Sequence, residues 1–108
     1  MPIVIRASGA AQIVGQYGSL LGVLPDPTLV DVGVDLWRGD AIVFYTDGIL
    51  DERRADRGGG EARLLEVLGS GRGRTAADIA GALERYLTEN RSALPRDDAA
   101  FLVLRMLP

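Results

Sequence analysis

The stretch Arg38-Gly39-Asp40-Ala41-Ile42-Val43-Phe44-Tyr45-Thr46-Asp47-Gly48 decides the fold. Between two turn signals it holds an unbroken run of apolar residues rich in β-branched and aromatic side chains. Such a run predicts a short strand over 41–46, buried on both faces. Asp47 then stands where a central strand leaves its sheet. A charge at that edge must be solvated, hydrogen-bonded or bound to a cation.

Working outward toward the N-terminus, Thr28 to Leu36 alternates, with Val30, Val32, Val34 and Leu36 on one side and Asp31, Gly33 and Asp35 on the other. The pattern predicts a strand with one wet face, joined by the Arg38-Gly39-Asp40 turn to its antiparallel neighbour 41–46. Trp37 at the end of this strand is expected to pack. Before it, Gly18 to Pro27 contains two Gly and two Pro around an apolar patch, which predicts a structured loop. Strands are expected at about 2–6 and 11–16, around the Gly-containing connection Ala7-Ser8-Gly9-Ala10.

Toward the C-terminus the texture changes to Asp51-Glu52-Arg53-Arg54-Ala55-Asp56-Arg57-Gly58-Gly59-Gly60, an exposed charged connection. Glu61 to Leu68 predicts a short helix with Leu64, Leu65 and Leu68 on one side, and Gly69 falls where a left-handed residue often closes a helix. Thr75-Ala76-Ala77-Asp78 has capping-box spacing, and Ile79, Leu83, Tyr86 and Leu87 repeat at helical intervals to about Asn90. Ala99 to Met106 reads as a final buried strand opened by Asp97-Asp98. The order is four strands, two helices and a closing strand, an α+β domain over residues 1–108. An antiparallel sheet is expected, with two α-helices packed on one face.

Composition narrows the chemistry. With 108 residues, 47% hydrophobic and 25% charged, the chain has the make-up of one soluble globular domain. There is no Cys and no His, so thiolate or imidazole metal sites, Cys nucleophiles and a Ser-His-Asp triad are excluded within it. Any metal must be held by oxygen. All twelve basic residues are Arg, yet the net charge is -3, which does not support a nucleic-acid footprint. No apolar run approaches the length a bilayer needs and no signal peptide is apparent, so the expected address is cytoplasmic, with no membrane partner.

If strand 41–46 and the closing strand are antiparallel neighbours, the end of the first lies beside the start of the second. Asp47 and Asp97 then meet at one sheet edge, and Mg²⁺ or Mn²⁺ suits such oxygen ligands. Asp-Gly is equally a common turn dipeptide, and Asp-Asp before a strand serves as well to accept backbone N–H bonds. Pattern alone names no enzyme.

Taken together, Arg38-Gly39-Asp40 through Thr46-Asp47-Gly48, the acidic loop with Glu52, the Gly-Glu-x-Arg-Leu element Gly60 to Leu64 and Arg96-Asp97-Asp98 before an apolar strand resemble one family. They are similar to the C-terminal half of PPM-type metal-dependent serine/threonine phosphatases, most of all the stage II sporulation protein E-like branch that acts on anti-sigma-factor antagonists. Leu21-Gly22-Val23-Leu24-Pro25 also resembles a loop of that branch. The resemblance implies half of a β-sandwich flanked by helices, two Mn²⁺ or Mg²⁺ ions in the intact domain, and a phosphoprotein substrate. It places Asp47 and Asp97 at metal-ligand positions, with Gly48 and Asp98 supporting the site. The metals of the intact domain activate a water for in-line attack on phosphorus, with no phosphoenzyme.

Arg53, Arg54 and Arg57 are candidates for contact with phosphate or substrate, since guanidinium suits phosphate oxygens. Interleaved with acids, they also fit an ordinary solvated loop. Residues 1–37 contain nothing like the Asp-Gly element that the family's first half supplies, Gly59 replaces a frequent Phe and Arg38 a frequent Pro. The resemblance therefore implies a fragment that is incomplete as an enzyme, or a non-catalytic interaction module that keeps the fold. It also implies an uncovered sheet face, open to the missing half of the domain or to homodimerisation.

Overall fold

The computed structural model describes residues 1–50, 59–69, 74–90 and 98–108. Four antiparallel strands form one sheet: β1 (Ile3–Ile5), β2 (Ala11–Ile13), β3 (Ala41–Tyr45) and β4 (Phe101–Arg105), in the order β2-β1-β3-β4. Helices α1 (Gly59–Leu68) and α2 (Ala76–Asn90) lie between β3 and β4 in the chain. The fold is α+β, with both helices on one face of the sheet.

That face is built by alternation. Registers Ile3↔Val43↔Val103 and Ile5↔Ala41↔Arg105 align the inward positions, and Tyr45 sits opposite Phe101. Leu64 and Leu68 of α1, spaced by four, and Ile79, Leu83 and Tyr86 of α2 bury onto Ile3, Ile5, Ala41 and Val43. Complete burial of each large aliphatic contributes roughly 1.5–3 kcal/mol, which makes this layer the main source of stability. Tyr86 belongs to this core stripe, as its spacing predicts. The capping box at α2 is formed as the sequence predicts: Thr75 N–H donates to Asp78 Oδ2 at 2.8 Å, and Asp78 N–H to Thr75 Oγ1 at 3.1 Å. These bonds hold the Asp78 carboxyl below its ordinary range.

Four expectations are corrected. Residues 28–36 form no strand, and Leu29, Val30 and Val32 are exposed. The reason is geometric: a strand has two edges, and those of β3 are occupied by β1 and β4, leaving no ladder for a hairpin with 28–36. Trp37 does not pack but is 69% exposed. Gly69 does not adopt a left-handed conformation, since its N–H bonds the Leu65 carbonyl at 2.8 Å and continues the helical pattern. Strand β3 is also not buried throughout, because Phe44 on the outer face stands open.

The Arg38-Gly39-Asp40 turn is held by its acid. Asp40 is 2% exposed; its carboxylate accepts from the Arg6 guanidinium at 2.8 Å, from Ala7 N–H at 2.9 Å and from Trp37 N–H at 3.1 Å. One side chain thus ties the entry to β3 to the exit of β1. Gly39 has φ +87°, and an added β carbon would lie 3.1 Å from the Ala7 side chain, so the turn requires glycine on both counts. Among the described residues, no helix is long and apolar enough to cross a membrane.

Candidate functional site

The site is assembled where β3 ends and β4 begins. The register Tyr45↔Phe101 brings Thr46 opposite Ala100, and Thr46 fastens the two strands: its N–H donates to the Ala100 carbonyl and its hydroxyl accepts the Ala100 N–H, both at 3.0 Å. The same hydroxyl lies 3.4 Å from the Asp98 carbonyl. Asp47 then opens a 3-10 turn, Asp47–Ile49, closed by Ile49 N–H to Thr46 O and Leu50 N–H to Asp47 O. Ile49 is buried in the core and anchors the turn from below. The antiparallel pairing on which the sequence argument depended is therefore present, and it brings Asp47 and Asp98 to one edge of the sheet.

Both acids are exposed, and among the described residues neither carboxylate accepts a hydrogen bond or ion pair. Gly48 lies against the other strand: an added β carbon would overlap the Asp98 carbonyl oxygen and come within 2.8 Å of the Asp98 carbonyl carbon and 3.1 Å of Ala99 N. Asp97, Arg53, Arg54 and Arg57 lie outside the described residues, as does Glu52.

Sequence reasoning did not place three further groups here. Tyr17 donates its phenol to Glu61 Oε1 at 3.4 Å, linking the segment after β2 to the first turn of α1. The Tyr45 phenol oxygen is buried with no hydrogen-bond partner among the described residues. Burial first, then the charges of Glu61 and Asp47, push the Tyr45 phenol up to about 12. Glu61, with a lesser contribution from Asp47, likewise raises Tyr17. Asp47, Glu61, Tyr17 and Tyr45 thus share one neighbourhood. Glu61 was legible as part of the Gly-Glu-x-Arg-Leu element, but nothing local links it to Tyr17, 44 residues away.

The donors present suit a hard divalent cation in kind, because those at this edge among the described residues are carboxylate, carbonyl, hydroxyl and phenol oxygens. They are few in number: among the described residues, no group of three acidic side chains converges on one point. Mg²⁺ commonly keeps several waters and binds through one or two carboxylates, so a partial site on this edge is chemically reasonable.

No curated protein and no solved structure gives a significant match to the chain. The family model described as stage II sporulation protein E (SpoIIE) matches residues 1–107. That match spans the Asp40 turn, the Asp47-Gly48 edge, both helices and β4, so the chain belongs to the stage II sporulation protein E family, whose domains are related to PPM-type phosphatases.

Proposed function

We propose that this chain supplies a carboxylate edge of a metal-dependent serine/threonine protein phosphatase, hydrolysing phosphomonoesters on a phosphoprotein of the anti-sigma-factor-antagonist class. The observation that carries the reading is the β3–β4 pairing, which brings Asp47 and Asp98 to one edge of the sheet, both exposed and with no hydrogen bond or ion pair to either carboxylate among the described residues. An exposed Asp47 without a partner among the described residues leaves a carboxylate open to a cation at a glycine-tightened strand end.

In this reading Asp47 and Asp97 are the metal ligands. Gly48 lets the turn approach β4, and Thr46 fixes the spacing of the two strand ends. Two Mn²⁺ or Mg²⁺ ions, when bound, supply a water of lowered pKa and neutralise charge developing on the phosphoryl oxygens. The 3-10 turn that carries Asp47 is held to the core by Ile49. Arg53, Arg54 and Arg57 offer guanidinium groups to the phosphate oxygens of the substrate protein.

A second reading is a non-catalytic interaction module that keeps the fold. The scarcity of converging acids among the described residues favours it. Calorimetric titration with Mn²⁺, with hydrolysis of a phosphoserine peptide followed in the same samples, separates the two. Binding by the wild-type chain that weakens tenfold or more in Asp47→Asn, about 1.4 kcal/mol, supports the phosphatase site. Equal affinity in both proteins sinks it and leaves the interaction module.

A further inference from the structure

We infer that Glu61 is a two-position latch for the long segment between β2 and β3. Bonded to Tyr17 it straps that segment to α1, and turned onto the buried phenol of Tyr45 it releases it. The first position is the one in the structure, where the Tyr17 phenol donates to Glu61 Oε1 at 3.4 Å. Residues 15–34 depend on that bond. Just before them Val14 N–H donates to the Pro2 carbonyl at 2.9 Å, and just after them the Asp35 carbonyl accepts from Arg6 at 2.8 Å. Between these ends Ser19 and Thr28 bond each other, and among the described residues only Tyr17 makes a hydrogen bond to the rest of the fold. Packing adds little, since the segment is exposed apart from partial cover at Ser19 and Val34. Gly15, two residues before Tyr17, has φ +105° and open space around it, which suits a hinge.

The second position is set by an unpaired donor. The Tyr45 phenol oxygen is buried without a hydrogen-bond partner among the described residues, and the charge of Glu61 acts on it more strongly than that of Asp47. A carboxylate has lone pairs enough for two phenols, yet Tyr45 receives none, so in this arrangement Glu61 serves one donor at a time. The balance between the two positions is close. The bond now made is long and Tyr17 is 73% exposed, so water replaces it with little loss. The bond not made would satisfy a buried donor, and leaving such a donor unpaired is the costlier omission. Against it stands the further desolvation of the Glu61 carboxylate, which is already partly buried. Two arrangements with opposing terms of this kind form a two-state element, and each phenol competes with the other for the same acid.

Competition is what the experiment reads. The chain has three tyrosines, so ¹³Cζ-tyrosine NMR gives three signals, assigned by Phe substitution, with Tyr86 in the core as the control for folding. Glu61→Ala marks where the Tyr17 and Tyr45 signals lie without the acid. Tyr45→Phe, which removes an oxygen that has no partner, should move the Tyr17 signal further from that mark. Tyr17→Phe should move the Tyr45 signal further from its own. The ¹H–¹⁵N heteronuclear NOE of residues 16–24 should fall in Glu61→Ala and rise in Tyr45→Phe, as the strap is freed or held. A Tyr17 signal that ignores Tyr45→Phe, or moves toward the Glu61→Ala position, overturns the inference and leaves Glu61 a fixed partner of Tyr17. An NOE unchanged in Glu61→Ala overturns it too, since the segment is then held by something else. No metal or substrate is present in these samples, so the outcome is independent of the phosphatase reading.

Discussion

Asp40→Ala is expected to lower the free energy of unfolding by about 3 kcal/mol, the low end of the cost of breaking a buried ion pair. For a domain of this size that corresponds to a fall in Tm of roughly 15 °C. The magnitude follows from what the side chain holds. Its removal orphans the N–H groups of Ala7 and Trp37 and leaves the Arg6 guanidinium, 30% exposed, with the Asp35 carbonyl as its one remaining partner among the described residues. Partial exposure of Arg6 limits the loss, since water can solvate the freed charge.

The pH dependence has a definite sign. Burial alone would push the Asp40 carboxyl up, but the Arg6 guanidinium and the Trp37 and Ala7 N–H groups outweigh it and hold the group below its ordinary value. A depressed carboxyl stabilises the fold above the unfolded value of about 3.9, and that stabilisation is lost as pH falls through the folded value. Urea melts between pH 6 and pH 3 should show this loss in the wild type. Asp40→Asn should lack this component; an identical acid profile in the two proteins would show that the pair contributes nothing.

Gly48→Ala is the second large effect, and it joins stability to the proposed activity. The added methyl meets the Asp98 backbone, which is fixed by Thr46 and Ala100, so relief requires the turn to move away from β4. Overpacking of this kind costs about 2–3 kcal/mol. The same displacement separates Asp47 from the start of β4, so Mn²⁺ affinity should fall at least tenfold under conditions where the variant remains folded. Retained affinity with reduced stability would make Gly48 a packing residue only.

The contrast between these two positions shows what the sequence could disclose. Asp47-Gly48 was legible because its meaning is local: an acid and a glycine at the end of an apolar run announce a strand edge whatever surrounds them. Both helices were legible for the same reason, since their apolar stripes and the Thr75–Asp78 cap repeat within a few residues. Asp40 was not, because two of its three anchors, Arg6 and Ala7, lie 34 and 33 residues away. Within its own neighbourhood it looks like any turn acid. Residues 28–36 mark another limit: alternation specifies a face but not a partner, and both edges of β3 were taken. Glu61, Tyr17 and Tyr45 came together only through the tertiary placement of the first turn of α1 beside the segment after β2.

Paramagnetic broadening by substoichiometric Mn²⁺ in an amide ¹H–¹⁵N spectrum tests the carboxylate edge most directly. It reports where the ion sits and not merely that one binds. Selective loss of the Asp47, Gly48, Asp98 and Ala99 amide signals is expected, with those of Asp31, Asp35, Glu84 and Glu89 unaffected. Broadening centred on these other acids, or spread evenly over the acidic surface, would contradict a metal site at the meeting of β3 and β4.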